Sequence, residues 1–261
     1  MRYELLGPLQ LVDGRGARSI SAQKVETLLG VLLARANQLV CTDQLITEIW
    51  GQTPPVRALA GIYVYVSQLR KHIADDAGDG SAIVTRPSGY LLRTVHDELD
   101  VDEFLALTDQ GRRLVRKEGE YEHGAHCLEQ ALGLWRGPVL GDVHGGPITS
   151  GFAAWLTETR SECLELLMDA ELRLGRHREL VGRLYLLAAE HPLREAFHQQ
   201  LMLALYRCDR QADALQAYRD ARRTLADELG IEPGERLREL EHAILTADEG
   251  LRVPEPLAAL A

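Results

Sequence analysis

The 261-residue sequence has no long hydrophobic run and lacks the features of a signal peptide. Its longest apolar stretch, residues 25–40, is interrupted by Glu26, Arg35 and Asn37, whereas a bilayer span needs about 20 consecutive apolar residues. The first residues contain neither an apolar segment of sufficient length nor a small-residue cleavage site. Apolar residues still make up 46% of the chain, which is enough for a core. We therefore expect a cytoplasmic globular protein with no membrane partner.

Motifs for disulfides and metals are also missing. The four cysteines, Cys41, Cys127, Cys163 and Cys208, are dozens of residues apart and form no Cys-x-x-Cys pair. They predict reduced, mostly buried thiols. His123 and His126 share a predicted helix with Cys127, but a fourth ligand is lacking, so we expect surface histidines beside a core cysteine. No metal and no cofactor is expected.

Catalytic and nucleotide-binding motifs are absent as well. The lysines, Lys24, Lys71 and Lys117, follow Gln, Arg and Arg, so the Gly-Lys-Ser/Thr of a phosphate-binding loop does not occur. The sequence contains no His-Glu-x-x-His and no serine with the flanking glycines of a nucleophile elbow. These absences predict that the protein is not an enzyme.

The charge is distributed unevenly along the chain. Residues 1–98 contain 10 basic and 10 acidic residues, whereas residues 99–261 contain 19 and 29, so the net charge of −10 belongs to the second part. This asymmetry predicts two modules. DNA binding would have to depend on a local patch, because the first module is neutral in bulk.

The first module has the pattern of a small α+β domain. Short extended runs at residues 3–12 and 18–20 predict an antiparallel platform. A helix follows Ser21, its predicted N-cap, to about residue 36, and a shorter helix capped by Thr42 or Asp43 ends at Trp50. A third helix is predicted at residues 56–74. Its core face should contain Leu59, Ile62, Val66, Leu69 and Ile73.

The end of this module predicts a hairpin. A polar loop at residues 75–81 precedes two extended runs that flank Pro87, Ser88 and Gly89, which have the chemistry of a turn. Strands, three helices and a terminal hairpin, in this order, are typical of a winged helix-turn-helix, whose third helix enters the DNA major groove. We assign residues 1–96 to this DNA-binding domain.

The remainder of the chain predicts an all-α domain, residues 97–250, followed by a tail, residues 251–261. Polar turns at residues 175–179 and 209–213 are 34 residues apart, which is the tetratricopeptide period. Pro192 is predicted at the end of the second helix of a repeat, and Ala214, Tyr218 and Ala221 have the spacing by which paired helices interlock. Residues 136–151, rich in Gly and Pro, predict a loop. A last helix is expected to end near Ala247.

The exposed face of the third helix carries the candidate DNA contacts. Ser67 and Gln68 can bond base edges, and Val64 can contact a thymine methyl group. Basic side chains can bond phosphates, or guanine in the case of Arg70. Tyr65 is assigned to the edge of the core. The candidate DNA-binding residues are Arg57, Tyr63, Val64, Ser67, Gln68, Arg70 and Lys71 on the helix and Arg86 on the hairpin.

Two other functions are compatible with the residues alone. Any exposed helix face is polar, so the chain could be an adaptor in which the tetratricopeptide-like domain binds a protein and the winged helix does not read DNA. DNA binding could also be combined with a small-molecule effector pocket in the helical domain, although no sequence feature marks such a pocket.

Two groups of motifs resemble known regulators. Residues 66–71, Val-Ser-Gln-Leu-Arg-Lys, and residues 83–91, Ile-Val-Thr-Arg-Pro-Ser-Gly-Tyr-Leu, look like the recognition helix and wing of OmpR-type winged helices. Residues 134–138, Leu-Trp-Arg-Gly-Pro, and the run 191–233 resemble the bacterial transcriptional activation domain. Together these segments resemble the Streptomyces antibiotic regulatory proteins, small pathway-specific activators of the actinorhodin-activator type.

The resemblance implies a sequence-specific transcriptional activator of a secondary-metabolite, that is antibiotic, gene cluster. It implies binding to direct repeats of double-stranded DNA spaced by about one helical turn near the −35 promoter element, and recruitment of RNA polymerase through its sigma factor. Two copies on adjacent repeats, a homodimer on DNA, would allow a nearly neutral domain to bind because their occupancies are linked. Many OmpR-type helices carry basic residues where Ser67 and Gln68 stand, so the target sequence is not implied.

Overall fold

The computed structural model of the protein describes residues 1–73, 82–94, 98–141, 143 and 145–251. The predicted loop at residues 75–81, the predicted domain boundary at residues 96 and 97, and the predicted tail from residue 252 onward lie outside the described residues. None of the helices within these ranges combines the length and the apolarity that a membrane crossing requires. The chain divides into two compact units, Met1–Leu107 with Gln130–Ser161, and Thr108–Glu129 with Glu162–Ala261.

A four-stranded sheet begins the first unit. It contains β1 (Arg2–Glu4), β2 (Gln10–Asp13), β3 (Gly16–Arg18) and the later β7 (Glu98–Leu99), in the order β3-β2-β1-β7. β1 pairs antiparallel with β2 and parallel with β7, and β2 pairs antiparallel with β3. The predicted platform is confirmed, and β7 extends it.

Three helices and a hairpin follow, as predicted. The helices are α1 (Gln23–Ala34), α2 (Thr42–Trp50) and α3 (Ala58–Ile73). The hairpin consists of β5 (Ile83–Arg86) and β6 (Gly89–Leu92), and β4 (Val40–Cys41) joins it in the order β4-β6-β5. A Cβ atom on Gly89 would lie 2.0 Å from the carbonyl oxygen of Val40, so only glycine permits the approach of β4 to β6.

The caps and one core position of these helices differ from the prediction. α1 begins after Ala22 rather than Ser21, and its N-cap makes no side-chain hydrogen bond. α2 begins after Cys41, whose backbone N–H donates to the side chain of Gln44 at 3.0 Å. Leu59 is 47% exposed, because Ala58, at the start of α3, takes the buried position in its place.

The segment that follows β7 contains α4 (Asp100–Val115), α5 (Tyr121–Gly133) and α6 (Pro147–Arg173). The predicted loop at residues 136–151 is therefore too long, because α6 already begins at Pro147. Proline suits the first position of a helix, because a backbone N–H there would have no acceptor within the helix. The backbone before α6 bonds to the segment that follows β1: Arg136 N–H donates to the Leu6 carbonyl at 2.7 Å, and Leu140 N–H to the Leu5 carbonyl at 2.9 Å.

Buried carboxylates complete the first unit. Glu48 of α2, 4% exposed, accepts hydrogen bonds from Gly146 N–H at 2.9 Å, from Ile148 N–H at 2.6 Å, and from the backbone and hydroxyl of Thr149 at 3.3 and 3.0 Å. It therefore supplies the N-terminal cap of α6 that a local Ser or Asp usually supplies. Asp100 accepts hydrogen bonds from the backbone N–H groups of Leu5 and Leu6 at 2.8–2.9 Å.

The second unit confirms the predicted repeat. It contains α7 (His177–Glu190), α8 (Glu195–Arg207), α9 (Gln211–Leu229) and α10 (Glu235–Leu245), followed by a 3₁₀ turn. α7 and α9 begin 34 residues apart, at His177 and Gln211. Pro192 lies two residues after the end of α7, so a helix ends where the sequence predicts it. Ala214, Tyr218 and Ala221 are buried, as their spacing predicts.

The cysteines correct part of the prediction. All four are free, and Cys127 and Cys163 are buried, but Cys41 is exposed because it precedes α2 at the end of a short strand, and Cys208 is half-buried. His123 and His126 are exposed beside the buried Cys127, as predicted. Among the described residues no cluster of His, Cys, Asp and Glu could hold a metal ion.

Candidate nucleic-acid interface

Helix α3 presents one continuous exposed face. Tyr63 and Val64 are 56% and 53% exposed, and Ser67, Gln68 and Lys71 are exposed on the following turns. The opposite side of α3 is buried in the first unit through Ala58, Ile62, Val66, Leu69 and Ile73. The predicted contact residues of α3 therefore lie on its solvent side, apart from Arg70. Arg57, which immediately precedes the helix, is exposed as well.

The orientation of α3 against α2 depends on an aromatic contact. The rings of Trp50 and Tyr65 are 5.9 Å apart, and Lys24 Nζ lies 5.1 Å from the Trp50 ring. Gly61 permits this packing, since a Cβ atom there would lie 3.0 Å from the Trp50 indole. Tyr65 is therefore a packing residue, as predicted, and the contact fixes how α3 projects from the domain.

Arg70 is half-buried and bonds to the hairpin. Its Nη2 donates to the carbonyl oxygen of Ile83 and to Oγ1 of Thr85, both at 2.8 Å. Its Nε is buried and has no hydrogen-bond partner among the described residues. The sequence places Arg70 on the flank of the DNA-facing side, whereas the structure turns its guanidinium toward β5.

The hairpin, which we call the wing (β5, β6 and the turn between them), is also bonded to α2. The backbone N–H of Thr42 donates to the carbonyl oxygen of Ser88 in the wing turn at 3.0 Å. Arg86 is exposed at the end of β5, directly before the turn. Tyr90 on β6 is 5% exposed, and this burial raises the pKa of its hydroxyl, with a smaller contribution from Tyr63.

The surface has the charge that DNA requires. α3 contains no carboxylate, and its last turn contains Arg70, Lys71 and His72. Arg57 and Arg86 add cations before the helix and on the wing. Hydroxyl and amide groups for base edges, methyl groups for thymine and cations for phosphates are thus combined on one helix and one hairpin.

Sequence reasoning missed three features of this surface. Val56 is fully exposed and Leu59 partly so, which extends the apolar part of the face toward the start of α3. The incorrect helix start concealed both. The Thr85 hydroxyl, which holds Arg70, was also missed. Thr85 lies two residues after the buried Ile83 and therefore on the same face of β5, and this spacing is the signal that could have identified it.

Two family descriptions match the chain. Residues 20–92 match the family "Transcriptional regulatory protein, C terminal", and residues 99–245 match the "Bacterial transcriptional activator domain". The first range contains α1 to α3 and the wing, and the second contains α4 to α10.

Similar proteins are known from Streptomyces and Mycobacterium. The regulatory protein DnrI of Streptomyces peucetius is 38% identical over 257 residues, which cover 96% of this chain and 94% of DnrI. The regulatory protein AfsR of Streptomyces griseus is 38% identical over 254 residues, 97% of this chain but 25% of AfsR. The solved structure of Mycobacterium tuberculosis EmbR in complex with a low affinity phosphopeptide is 36% identical, has a TM-score of 0.87, and is matched over 94% of this chain and 65% of EmbR. The chain thus spans a quarter of AfsR and less than two thirds of EmbR.

Proposed function

Because the chain belongs to the Streptomyces antibiotic regulatory protein family of DNA-binding transcriptional regulators, we propose that it activates a secondary-metabolite gene cluster by binding direct repeats near the −35 promoter element. Residues 1–96 bind DNA, and residues 97–250 serve assembly and contact with the transcription machinery. The observation that carries this proposal is the exposed, carboxylate-free face of α3 beside the cationic wing.

The side chains divide into two groups by their chemistry. Ser67, Gln68 and Val64 read base edges and methyl groups in the major groove, with Tyr63 beside them. Arg57, Lys71 and Arg86 bond phosphates and fix the register of the helix, without reading sequence. The guanidinium of Arg70 is already bonded to the Ile83 carbonyl oxygen on β5, which limits the contacts that it can make to DNA.

Two copies on adjacent repeats support tight binding by a weakly charged domain. Each copy contributes few phosphate contacts, but the second copy binds at a high effective concentration once the first is in place. The homodimer therefore forms on DNA, and RNA polymerase is recruited through its sigma factor to the neighbouring promoter.

The second unit offers a surface for this contact. Leu186 is 65% exposed and Tyr185 44% exposed on consecutive positions of α7, and exposed apolar side chains of this size support a protein-binding role. Leu186→Glu should leave DNA binding intact and abolish stimulation of transcription in a purified polymerase reaction. Leu245→Glu, at a leucine of similar exposure on α10, is the matched control. If the Leu186→Glu variant stimulates transcription as strongly as the Leu245→Glu control, α7 does not contact the polymerase.

Mobility shift with footprinting tests the DNA-binding part. The full chain is titrated against promoter fragments and random-sequence competitor over a salt series, and protection of spaced direct repeats is expected. Lys71→Ala should weaken binding to all sequences and lower the salt slope by about one unit, whereas Lys117→Ala, at an exposed lysine of the second unit, should not. Ser67→Ala and Gln68→Ala should relax base preference instead. Binding without any preference would favour the adaptor function.

A further inference from the structure

Arg70 is the basic residue on the DNA-facing side of α3 whose side chain bonds to another element of the domain. Its Nη2 has two hydrogens, and two acceptors on β5, the Ile83 carbonyl oxygen and Thr85 Oγ1, lie 2.8 Å away. Both hydrogens of Nη2 are therefore used within the protein.

This arrangement decides which contacts Arg70 can make to DNA. A bidentate contact to a phosphate or to guanine uses two parallel N–H groups of the guanidinium, either Nε with Nη2 or Nη1 with Nη2. Both forks require Nη2, which is bonded to β5, and Nε is buried. Either bidentate contact would break at least one of these two hydrogen bonds inside the domain.

The same bonds fix the wing. Thr85 is followed directly by Arg86, the exposed cation at the wing turn, and β5 is paired with β6 in the register Thr85↔Tyr90 and Arg86↔Gly89. The other side of the wing is bonded to α2 through Thr42 N–H and the Ser88 carbonyl. Arg70 thus bonds β5 to α3, whereas β4 pairs with the wing on the side of β6.

We propose that Arg70 is a positioning residue: it holds β5 against the last turn of α3 and so sets the distance between the base-reading face of α3 and Arg86. A wing held at this distance before DNA arrives avoids the ordering cost of binding. This proposal rests on the proposed function, because it assigns to Arg70 the placement of a DNA contact, not the contact itself.

The first test uses the free protein. Hydrogen–deuterium exchange of the β5 and β6 amides is measured without DNA for wild type, Arg70→Gln, Thr85→Val and Lys71→Gln. Thr85→Val removes the hydroxyl acceptor while keeping the charge and the β-branched shape, so it also serves if Arg70→Gln folds poorly. The Arg70 and Thr85 variants should exchange faster in both strands, and Lys71→Gln, at the exposed neighbour, should not. Unchanged exchange in Arg70→Gln would overturn the proposal.

The second test uses a duplex that the wild-type chain selects from a random-sequence pool, with a scrambled duplex of equal length as reference. Thr85→Val should bind the selected duplex about fivefold more weakly, although it removes no charge. Arg86→Ala should cost less affinity in the Arg70→Gln background than in wild type, but the same in the Lys71→Gln background. Additive losses from Arg70→Gln and Arg86→Ala, with full affinity in Thr85→Val, would make Arg70 an ordinary DNA contact.

The two tests separate this proposal from the proposed function. A wild-type chain that selects no duplex overturns DNA reading by α3, and the exchange measurement still decides whether Arg70 holds β5. A chain that selects a duplex, but whose Arg70→Gln variant exchanges like wild type, overturns only the role of Arg70.

Discussion

Each of the two compact units is stabilised internally by a different kind of interaction. In the first unit, the carboxylates of Glu48 and Asp100 bond to backbone groups about 100 residues away in sequence. In the second unit, neighbouring helices pack through small buried residues such as Ala214 and Ala221, and exposed ion pairs such as Arg222–Glu232 lie on the surface. The second unit therefore follows from local repetition, whereas the first depends on a few distant bonds.

This difference affects how far each unit tolerates change. A repeat distributes its stability over many similar contacts between adjacent helices. A buried carboxylate concentrates the stability at one side chain, because its removal leaves several backbone N–H donors without an acceptor at once. Substitutions of equal size should therefore lower the free energy of unfolding more in the first unit than in the second. Four variants measure this contrast, from the largest expected effect to the smallest.

Glu48→Ala should produce the largest loss. Three backbone N–H groups at the start of α6 lose their acceptor, the Thr149 hydroxyl keeps only the Gly146 carbonyl oxygen, and we expect the free energy of unfolding to fall by about 3 kcal/mol in urea titration. Glu179→Ala, at an exposed acid in the first turn of α7, is the control and should change stability little. Similar losses in the two variants would break the contrast between the units.

Asp100→Asn should cost about 2 kcal/mol, because the amide keeps one oxygen but turns an NH₂ group toward the N–H donors of Leu5 and Leu6. Burial raises the pKa of Asp100 above its ordinary value of 3.8, and the two backbone bonds offset this only in part. The folded chain thus binds the proton more tightly than the unfolded chain. The advantage of wild type over Asp100→Asn should be greatest below pH 3.8 and should decrease as the pH rises through the raised pKa. An advantage that grows with pH would reverse the assignment.

Ala221→Leu should lower stability by about 1.5 kcal/mol, because the larger side chain enters a close-packed contact of α9. Ala226→Leu, on the exposed face of the same helix, controls for the change in residue type and should be nearly neutral. The readout is the thermal midpoint by circular dichroism. A loss larger than that of Glu48→Ala would show that the repeat is the less tolerant part.

Arg222→Ala should have the smallest effect. Arg222 and Glu232 are 55% and 63% exposed, with 2.8 Å between Arg222 Nε and Glu232 Oε2. Exposed ion pairs contribute little to the free energy of unfolding, and salt screens the attraction between their charges. The small difference in thermal midpoint between wild type and variant should vanish in about 1 M salt. A difference that persists there would mean that Arg222 acts through packing.

The parts of the fold that could be predicted are those with local signals. The spacing of apolar residues indicates α1 to α3, the turn chemistry at residues 87–89 indicates the wing, and the 34-residue period indicates α7 to α10. Each signal lies within a few dozen residues of sequence: a known period for the helices and the repeat, and a turn composition for the wing.

The unpredicted parts involve bonds without a period. Glu48 lies three residues after the buried Leu45 and therefore on the buried side of α2, but no sequence pattern connects it to residues 146–149. The same reason explains Arg70: the helical wheel identifies its side of α3, whereas its acceptors on β5 become visible only when the wing is folded. The helical spacing of polar and apolar residues was enough to predict the exposed face of α3. The residues on this face, as predicted, are Tyr63, Val64, Ser67, Gln68 and Lys71.

The cap that Glu48 provides for α6 has a consequence for recombination among related regulators. A chimera joined near residue 96 would combine α2 from one parent with residues 145–149 from another, and the carboxylate would meet a helix start to which it was not matched. A junction after Ser161 keeps both partners from one parent. Exchange of DNA-binding specificity between such proteins should therefore succeed more often when the transplanted gene segment extends well into the region assigned to activation.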